Sequence, residues 1–347
     1  MSGPKIGSLF SGVGGLDLGV QQVIGGDVVW HVEFDAAPSK VLAHHWPDVP
    51  NYGDITKVDW ANVEPIDILT GGFPCQDVSL AGARAGMNDT TRSGLWAHYA
   101  HAISVLKPKL VVIENVRGLL SAEAVGAMES DPWGVGDGNP RSVINAFGAV
   151  LGDLAGLGYD VEWCGVRAAD AGAPHGRYRV FIVAEDTDSA TSGQRWLTTP
   201  GQTESGWTRA NAGRRSGTPT ADTRCVGGNE SDDVAGQRRE SANGASVADE
   251  RSPRPSDLEW GVYEPAIRRW ESVLNRDAPP ATNPDGRDSS HRLAAEFVEW
   301  MMGLPAGHVT DPAIGLTRNQ QLKALGNGVV PAQCALALRM LGVNSWQ

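Results

Sequence analysis

The feature that most restricts how this chain can fold is a series of short apolar runs separated by helical patterns, each run stopping at glycine or at polar residues. Residues 5–10, 27–34, 66–70, 110–116, 160–166 and 179–184 read as strands, and residues 93–106 and 142–157 carry helical spacing. Strands that alternate with helices predict a mostly parallel sheet, because a parallel neighbour is reached only through a crossover. The near-continuous apolar character of LVVIENV at residues 110–116 suits a strand covered on both faces. The fold class read from the residues is α/β.

This pattern stops near Glu185. From there to about Asp257 the chain is rich in Ser, Thr, Gly, Asn, Asp and Arg and poor in large apolar residues. Such a composition offsets ordering entropy badly. Gly-Gln pairs recur at Gly193, Gly201 and Gly236, which reads as low complexity and not as a structural repeat. Helical patterning resumes in GVYEPAIRRWESVL, which carries Arg268 and Arg269, and again at residues 297–304 and 332–341. Three sections result: 1–185, 186–296 with the low-complexity insertion, and a C-terminal segment 297–347.

Composition narrows the function classes. At 347 residues, 41% hydrophobic, the chain can bury a sizeable core. It has no apolar stretch long enough for a transmembrane helix, and MSGPKIGSLF lacks the layout of a secretory signal, so no membrane partner and a cytoplasmic location are expected. None of Cys75, Cys164, Cys225 and Cys334 sits in a CxxC pair, so neither a zinc site nor a disulfide framework is predicted. Cys164 and Cys334 read as small buried hydrophobes. A net charge of −12 alone opposes a nucleic-acid partner, but clustered Arg residues decide that question, and composition leaves it open.

Chemistry enters with three motifs. Phe10-Ser-Gly-Val-Gly-Gly-Leu-Asp17 is a strand running into a glycine turn and out through a helix, with Gly12 and Gly14 able to admit a ligand close to the backbone. Asp17 stands where a third glycine would complete a dinucleotide fingerprint. Glu33 lies at the end of the second strand, about 20 residues on, where an acid can accept both hydroxyls of a ribose. Asp54-Ile55 adds a carboxylate able to meet an adenine amino group. In Asp67-Ile-Leu-Thr-Gly-Gly-Phe-Pro-Cys-Gln-Asp-Val-Ser79, a strand runs through Gly71-Gly72 into Pro74-Cys75. That places Cys75 past a strand's carboxyl end, facing the crevice where α/β proteins bind ligands. Glu114-Asn115-Val116 ends another strand at the same edge. Burial there would raise the Glu114 pKa and let it donate to a ring nitrogen. A Cys with a Glu of this kind suits attack on an electron-poor pyrimidine.

Together these motifs resemble those of the C5-cytosine-specific DNA methyltransferases, over roughly residues 5–185 and 297–335 and in that family's order. FSGVGG resembles the cofactor motif, GGFPCQDVS the nucleophile loop, ENV the motif whose Glu contacts the target base, and Arg92-Ser-Gly-Leu95 the element lining the methionine side. Ala173-Pro-His-Gly-Arg-Tyr-Arg-Val-Phe-Ile182 resembles the Gln-x-Arg-x-Arg strand, with His175 where Gln is usual. Leu325-Gly-Asn-Gly-Val-Val-Pro331 resembles the last motif, which folds back beside the cofactor, with Gly328 where Ser is common.

The resemblance implies a Rossmann-like S-adenosylmethionine-dependent methyltransferase sheet with a smaller target-recognition domain in 186–296. It implies S-adenosyl-L-methionine held by Phe10, Gly12, Gly14, Glu33, Asp54, Ile55, Pro74, Leu95 and Asn327. It implies a cytosine flipped from double-stranded DNA, Cys75 attacking C6, and Glu114 holding N3 and the amino group. Arg177 is expected on the base carbonyl oxygen, Arg179 as a brace for the loop, and Asn115 as the residue positioning Pro74-Cys75. Arg214, Arg215, Arg238 and Arg239 are candidates for phosphates or guanines. No metal is expected, since a sulfonium is already an activated donor. The protein is expected to act as a monomer, with a cognate restriction endonuclease as a partner in function and not in complex. A nicotinamide-type dinucleotide enzyme would account for Gly12, Gly14 and Glu33, but not for PCQ or ENV. An RNA cytosine methyltransferase shares the chemistry; the long Arg-containing insertion favours DNA. A catalytically idle DNA-binding relative is opposed by the presence of Cys75, Glu114, Arg177 and Arg179.

Overall fold

Five of the six strands of the central sheet point the same way. A computed structural model describes residues 3–74, 94–120, 146–188, 260–284, 291–343 and 345. The strands are β1 (Lys5–Leu9), β2 (Asp27–Val32), β3 (Ile68–Gly71), β4 (Leu110–Val116), β5 (Tyr159–Arg167) and β6 (Tyr178–Asp186), in the order β2-β1-β3-β4-β6-β5. The β1–β2, β1–β3 and β3–β4 pairs are parallel; β6 runs antiparallel to both β4 and β5. The α/β class with a mostly parallel sheet is therefore present, and the one reversed strand is the one that carries Arg179.

Successive residues of the strands feed opposite layers, as the pleat requires. Leu69, Val111 and Ile182 face a layer containing Trp96, Tyr99, Ile103, Val150 and Leu154. These come from α3 (Leu95–Leu106) and α4 (Ala146–Gly156). Their neighbours Ile68, Val112 and Val183 face the other layer, with Leu16, Val20, Cys334 and Leu338. That layer is built from α1 (Gly15–Gln21) and from a C-terminal helix at Pro331–Met340. The two helices touch at Gly19, where a Cβ would lie 2.5 Å from the Cβ of Cys334. Cys334 is buried there and Cys164 packs on the same layer.

A third cluster stands at the carboxyl edge of the sheet. It joins Val13 and Val41 to Ile267, Trp270, Phe297, Trp300, Leu304, Val309 and Leu325. After α2 (Ala36–His45), the helices in this region are α5 (Glu264–Leu274), α6 (Ala295–Met301), α7 (Arg318–Asn327) and α8 (Pro331–Met340). Trp270 anchors α5: its Nε1 donates to Trp300 O at 2.9 Å, and Cβ atoms at Gly172 and Gly303 would lie 3.5 and 2.8 Å from its ring. Thus α5 packs with the C-terminal segment and with the loop leading into β6.

Asp17, the residue in place of a third glycine, is fully buried in α1. Its carboxyl accepts from Ser8 Oγ at 2.8 Å and from Thr70 Oγ1 at 2.5 Å. Burial without a cation lifts its pKa from 3.8 to about 6, against the pull of the two hydroxyls. An acid raised in the folded state stabilises below its unfolded pKa and loses that contribution as pH rises through the folded value. We predict that Asp17→Asn, which can use the same hydroxyls, gains stability over the wild type by on the order of 2–3 kcal/mol above pH 6 and little at pH 4. Denaturant midpoints across this range check it; a constant offset at every pH would sink it.

Candidate active site

From β1 the chain departs toward β2, on one side; from β3 it departs toward β4, on the other. Ligands of open α/β sheets sit at the carboxyl end of such a switch point. An opening lies there, and four of the expected catalytic and cofactor-binding residues line it. Phe10 and Gly12 follow β1, Glu114 sits near the end of β4, and Asn327 ends α7; Gly72, after β3, completes the wall.

On one side of the opening the β1–α1 turn bends through left-handed backbone at Phe10 (φ 50°), Gly12 (φ 54°) and Gly14 (φ 81°). For Phe10 this costs roughly 1–2 kcal/mol. It is held by a hydrogen bond from Phe10 N to Val32 O at 2.8 Å and by stacking on Tyr99, centroid to centroid 6.3 Å. A Cβ on Gly12 would meet nothing within 4 Å, so that backbone faces open space. Gly14 turns the other way, against Trp46, whose ring would lie 2.7 Å from a Cβ. Glu33 reaches this turn from the end of β2. Its Oε2 accepts from Gly12 N at 2.8 Å and its Oε1 from Asp35 N at 2.7 Å. Burial raises its pKa, and the backbone N–H groups of Asp35 and Gly12 oppose the rise.

The other expected cofactor residues are placed less directly. Asp54 caps the short helix Ile55–Lys57: its Oδ1 accepts from Thr56 N at 3.0 Å and Thr56 Oγ1 at 2.8 Å, and Lys57 pairs with its Oδ2 at 3.3 Å. Ile55 is buried in the layer that also contacts Phe10 and Leu95. Neither Asp54 nor Ile55 lines the opening. Pro74 is exposed at the end of the described turn.

On the opposite side, Glu114 is 8% exposed. Arg179 Nε lies 2.5 Å from its Oε1, a close ion pair and not an aligned hydrogen bond. Burial raises the Glu114 pKa, while Arg179 and then Arg177 pull it down. Its other oxygen lies 2.9 Å from where a Cβ on Gly72 would be, so glycine is what lets the β3 turn approach the acid. Asn115 ties the same two segments together, its Nδ2 donating to Phe73 O at 2.9 Å.

The two arginines meet different partners. Arg177 is the brace: its terminal nitrogens donate to Gly326 O and Gly328 O, each at 2.8 Å, fixing the α7 terminus beside Asn327. Arg179 faces Glu114. Arg177 lies just before β6 and Arg179 within it, so the two side chains leave the chain at different depths along the edge. His175, at the Gln position, contacts Met301 O through Nε2 at 3.2 Å. Cys75, Arg92, Arg214, Arg215, Arg238 and Arg239 lie outside the described residues.

Three contributors are not foreseen in the sequence reading. Phe34 is 80% exposed, directly after Glu33; an aromatic beside an acid at a strand end is its only local signal. Trp46 and His308 support the glycine turn from behind, and nothing local to either residue signals it. Among the described residues, no cluster of three His, Cys, Asp or Glu could hold a metal, and no helix is long and apolar enough to cross a membrane.

Comparison with known proteins agrees with this geometry. The model of the C-5 cytosine-specific DNA methylase family matches residues 4–210. Type II methyltransferase M.NlaIV of Neisseria lactamica is 34% identical over 183 residues, 51% of this chain and 40% of that protein. A protein of Escherichia phage P1 named DNA N-6-adenine-methyltransferase is 35% identical over 222 residues, 53% of this chain and 29% of its own length. The chain thus spans less than half the length of these curated relatives. Among solved structures, a Spodoptera frugiperda DNMT2 mutant shares the fold, with a TM-score of 0.54 at 12% identity, covering 97% of this chain and 99% of that one. With more than half its length matched, the chain belongs to the C-5 cytosine-specific DNA methylase family.

Proposed function

We propose that the protein is a DNA (cytosine-5-)-methyltransferase, moving a methyl group from S-adenosyl-L-methionine to C5 of a cytosine flipped out of a specific duplex sequence, through a Cys75 adduct at C6. The observation that carries this reading is Glu114. It is a buried acid with a raised pKa at the carboxyl edge of the sheet, packed against the very turn that leads into Pro74-Cys75.

The residues present fit S-adenosylmethionine. The open backbone at Gly12, the Glu33 carboxylate held on it, the half-exposed Phe10 ring and Asn327 together offer an apolar stacking face, an acceptor for ribose hydroxyls and polar groups for the amino-acid end. Gly14 shapes the turn; Asp54 and Ile55 are assigned to adenine, Pro74 and Leu95 to the methionine side. Phe34 adds a second aromatic face beside Glu33. When bound, the cofactor supplies a methyl group on a sulfonium.

The chain's own residues do the rest. The Cys75 thiolate adds to C6 of the flipped cytosine, which moves ring electrons toward C5. Glu114, whose burial raises its pKa above that of an ordinary glutamate, gives N3 a proton as that charge develops and holds the exocyclic amino group. Arg179, paired with Glu114, is the guanidinium placed to meet the base carbonyl oxygen; Arg177 keeps Asn327 in place. After transfer, loss of the C5 proton to a base expels Cys75 and restores the ring. Residues 186–296 serve as the target-recognition region, and the natural partner is double-stranded DNA. A matching restriction endonuclease, separate from this monomer, fits the type II relatives.

Incubation with duplex DNA and labelled donor, followed by base-resolved sequencing, tests the reading. 5-Methylcytosine in one sequence context is expected. Label in N6-methyladenine alone, or in RNA alone, would overturn it.

A further inference from the structure

The glycine turn that bounds the cofactor side of the opening is gripped from two directions. Glu33 holds Gly12 N from the front. From behind, His308 Nε2 lies 2.7 Å from Val13 O. A carbonyl only accepts, so Nε2 must carry the hydrogen and donate it. The His308 ring is 3% exposed and lies flat on His45, with centroids 4.2 Å apart and planes 8° from parallel. His45 Nε2 in turn donates to His308 O at 2.8 Å. Burial keeps His308 neutral, its pKa lowered from 6.5 to about 4.

The segment carrying His308 is itself fixed by one acid. Glu299, 2% exposed on α6, accepts from Gly307 N at 2.8 Å, Val309 N at 2.6 Å, Thr310 N at 3.0 Å and Thr310 Oγ1 at 3.0 Å. Four donors converge on one carboxylate, with His308 centred in the loop they define. Such a loop has little freedom to withdraw the imidazole.

Resting on the reading of the opening as the S-adenosylmethionine site, we infer that His308 is a positioning residue for that cofactor: it clamps Val13 O, with Glu299 holding it in place, and so presets the turn at Gly12 and Gly14. The clamp comes from nearly 300 residues away in sequence, so the C-terminal segment contributes to cofactor affinity through backbone it touches and not through the ligand.

The test compares His308→Phe, which keeps a ring over His45 but has no donor, with His308→Gln, whose amide can reach the same carbonyl. S-adenosylhomocysteine binding is measured by calorimetry, KM and kcat by methyl transfer, and amide exchange at Gly14, whose N–H donates to Ser11 O at 2.9 Å. The Phe variant is expected to bind about tenfold more weakly and to raise KM by a similar factor, with kcat within about twofold and faster exchange at Gly14. The Gln variant should recover most of the affinity. Wild-type affinity and exchange in the Phe variant would overturn the inference while leaving the cofactor reading intact. Failure of the wild type to bind S-adenosylhomocysteine would remove both.

Discussion

Glu114→Gln is expected to slow methyl transfer by roughly 10²–10⁴-fold, the usual worth of a positioned proton donor. Glutamine can hydrogen-bond to N3 but cannot give up a proton to it, so the charge that builds on the ring as Cys75 adds stays uncompensated. The substitution also strips Arg179 of its ion pair. Breaking a buried pair from one side costs on the order of 3–5 kcal/mol, and a partly unfolded variant would mimic a catalytic defect. Two measurements separate the causes. Affinity for S-adenosylhomocysteine should stay within about threefold of wild type if the fold is intact. Activity should be assayed well below the variant's melting point. The pH profile adds a sign. A raised pKa means Glu114 holds its proton to higher pH than an ordinary glutamate, and gives it up as pH rises. The Glu114-dependent part of the rate should therefore fall on the alkaline side, and the Gln variant should lack that limb. A wild-type rate in a folded Gln variant would take Glu114 out of the mechanism.

The two halves of this site differed in how much the residues revealed beforehand. Phe10, Gly12, Glu114 and Asn327 were legible because each sits where a periodic segment meets its loop, and the pattern that defines the segment also places the residue. The six strands were legible for the same reason. Residues 110–116 match β4 in full, and the reversed strand β6 was found as an apolar run at 179–184 inside Tyr178–Asp186. Its direction was not readable, because an apolar run carries no sign. The same limit explains the arginines. Arg177 and Arg179 are two apart across the start of one strand, and the sequence cannot rank their depth along the edge. Their partners come from distant segments, Gly326 and Gly328 for Arg177 and Glu114 for Arg179. His308, Trp46 and Glu299 were invisible in principle: each acts across a gap in sequence that no local period spans. The apolar run at residues 27–34 extends the second strand to Phe34; β2 stops at Val32 and leaves that ring in solvent.

Cys75→Ala is expected to reduce methyl transfer to background and to abolish a covalent complex with DNA, while leaving S-adenosylhomocysteine affinity unchanged. The adduct can be isolated with duplex DNA that carries fluorine at C5 of cytosine. Addition of the thiolate at C6 and methylation at C5 proceed as before, but the last step requires C5 to lose a proton. Fluorine cannot leave as a cation, so the C6–S bond persists and the complex survives denaturation. Complex formation should require S-adenosylmethionine to reach this methylated, trapped state. The chain has four cysteines, and the structure narrows which could substitute. Cys334 is buried between α8 and α1, its thiol pushed well above the ordinary range by burial, and Cys164 packs on the same layer of the sheet. Neither is at the carboxyl edge that holds Glu114. Cys225→Ala is then the informative control, expected to trap DNA and to methylate like the wild type. An adduct that survives in Cys75→Ala but disappears in Cys225→Ala would move the nucleophile out of the Pro74-Cys75 turn. The approach of Gly72 to Glu114 would then have to be explained by packing alone. A free thiol near pKa 8.5 is only a few per cent ionised at neutral pH. The rate of adduct formation should therefore rise with pH until the thiol is ionised, opposite in sign to the Glu114 limb. Together they predict a bell whose acid side reports ionisation of Cys75 and whose alkaline side is lost in Glu114→Gln.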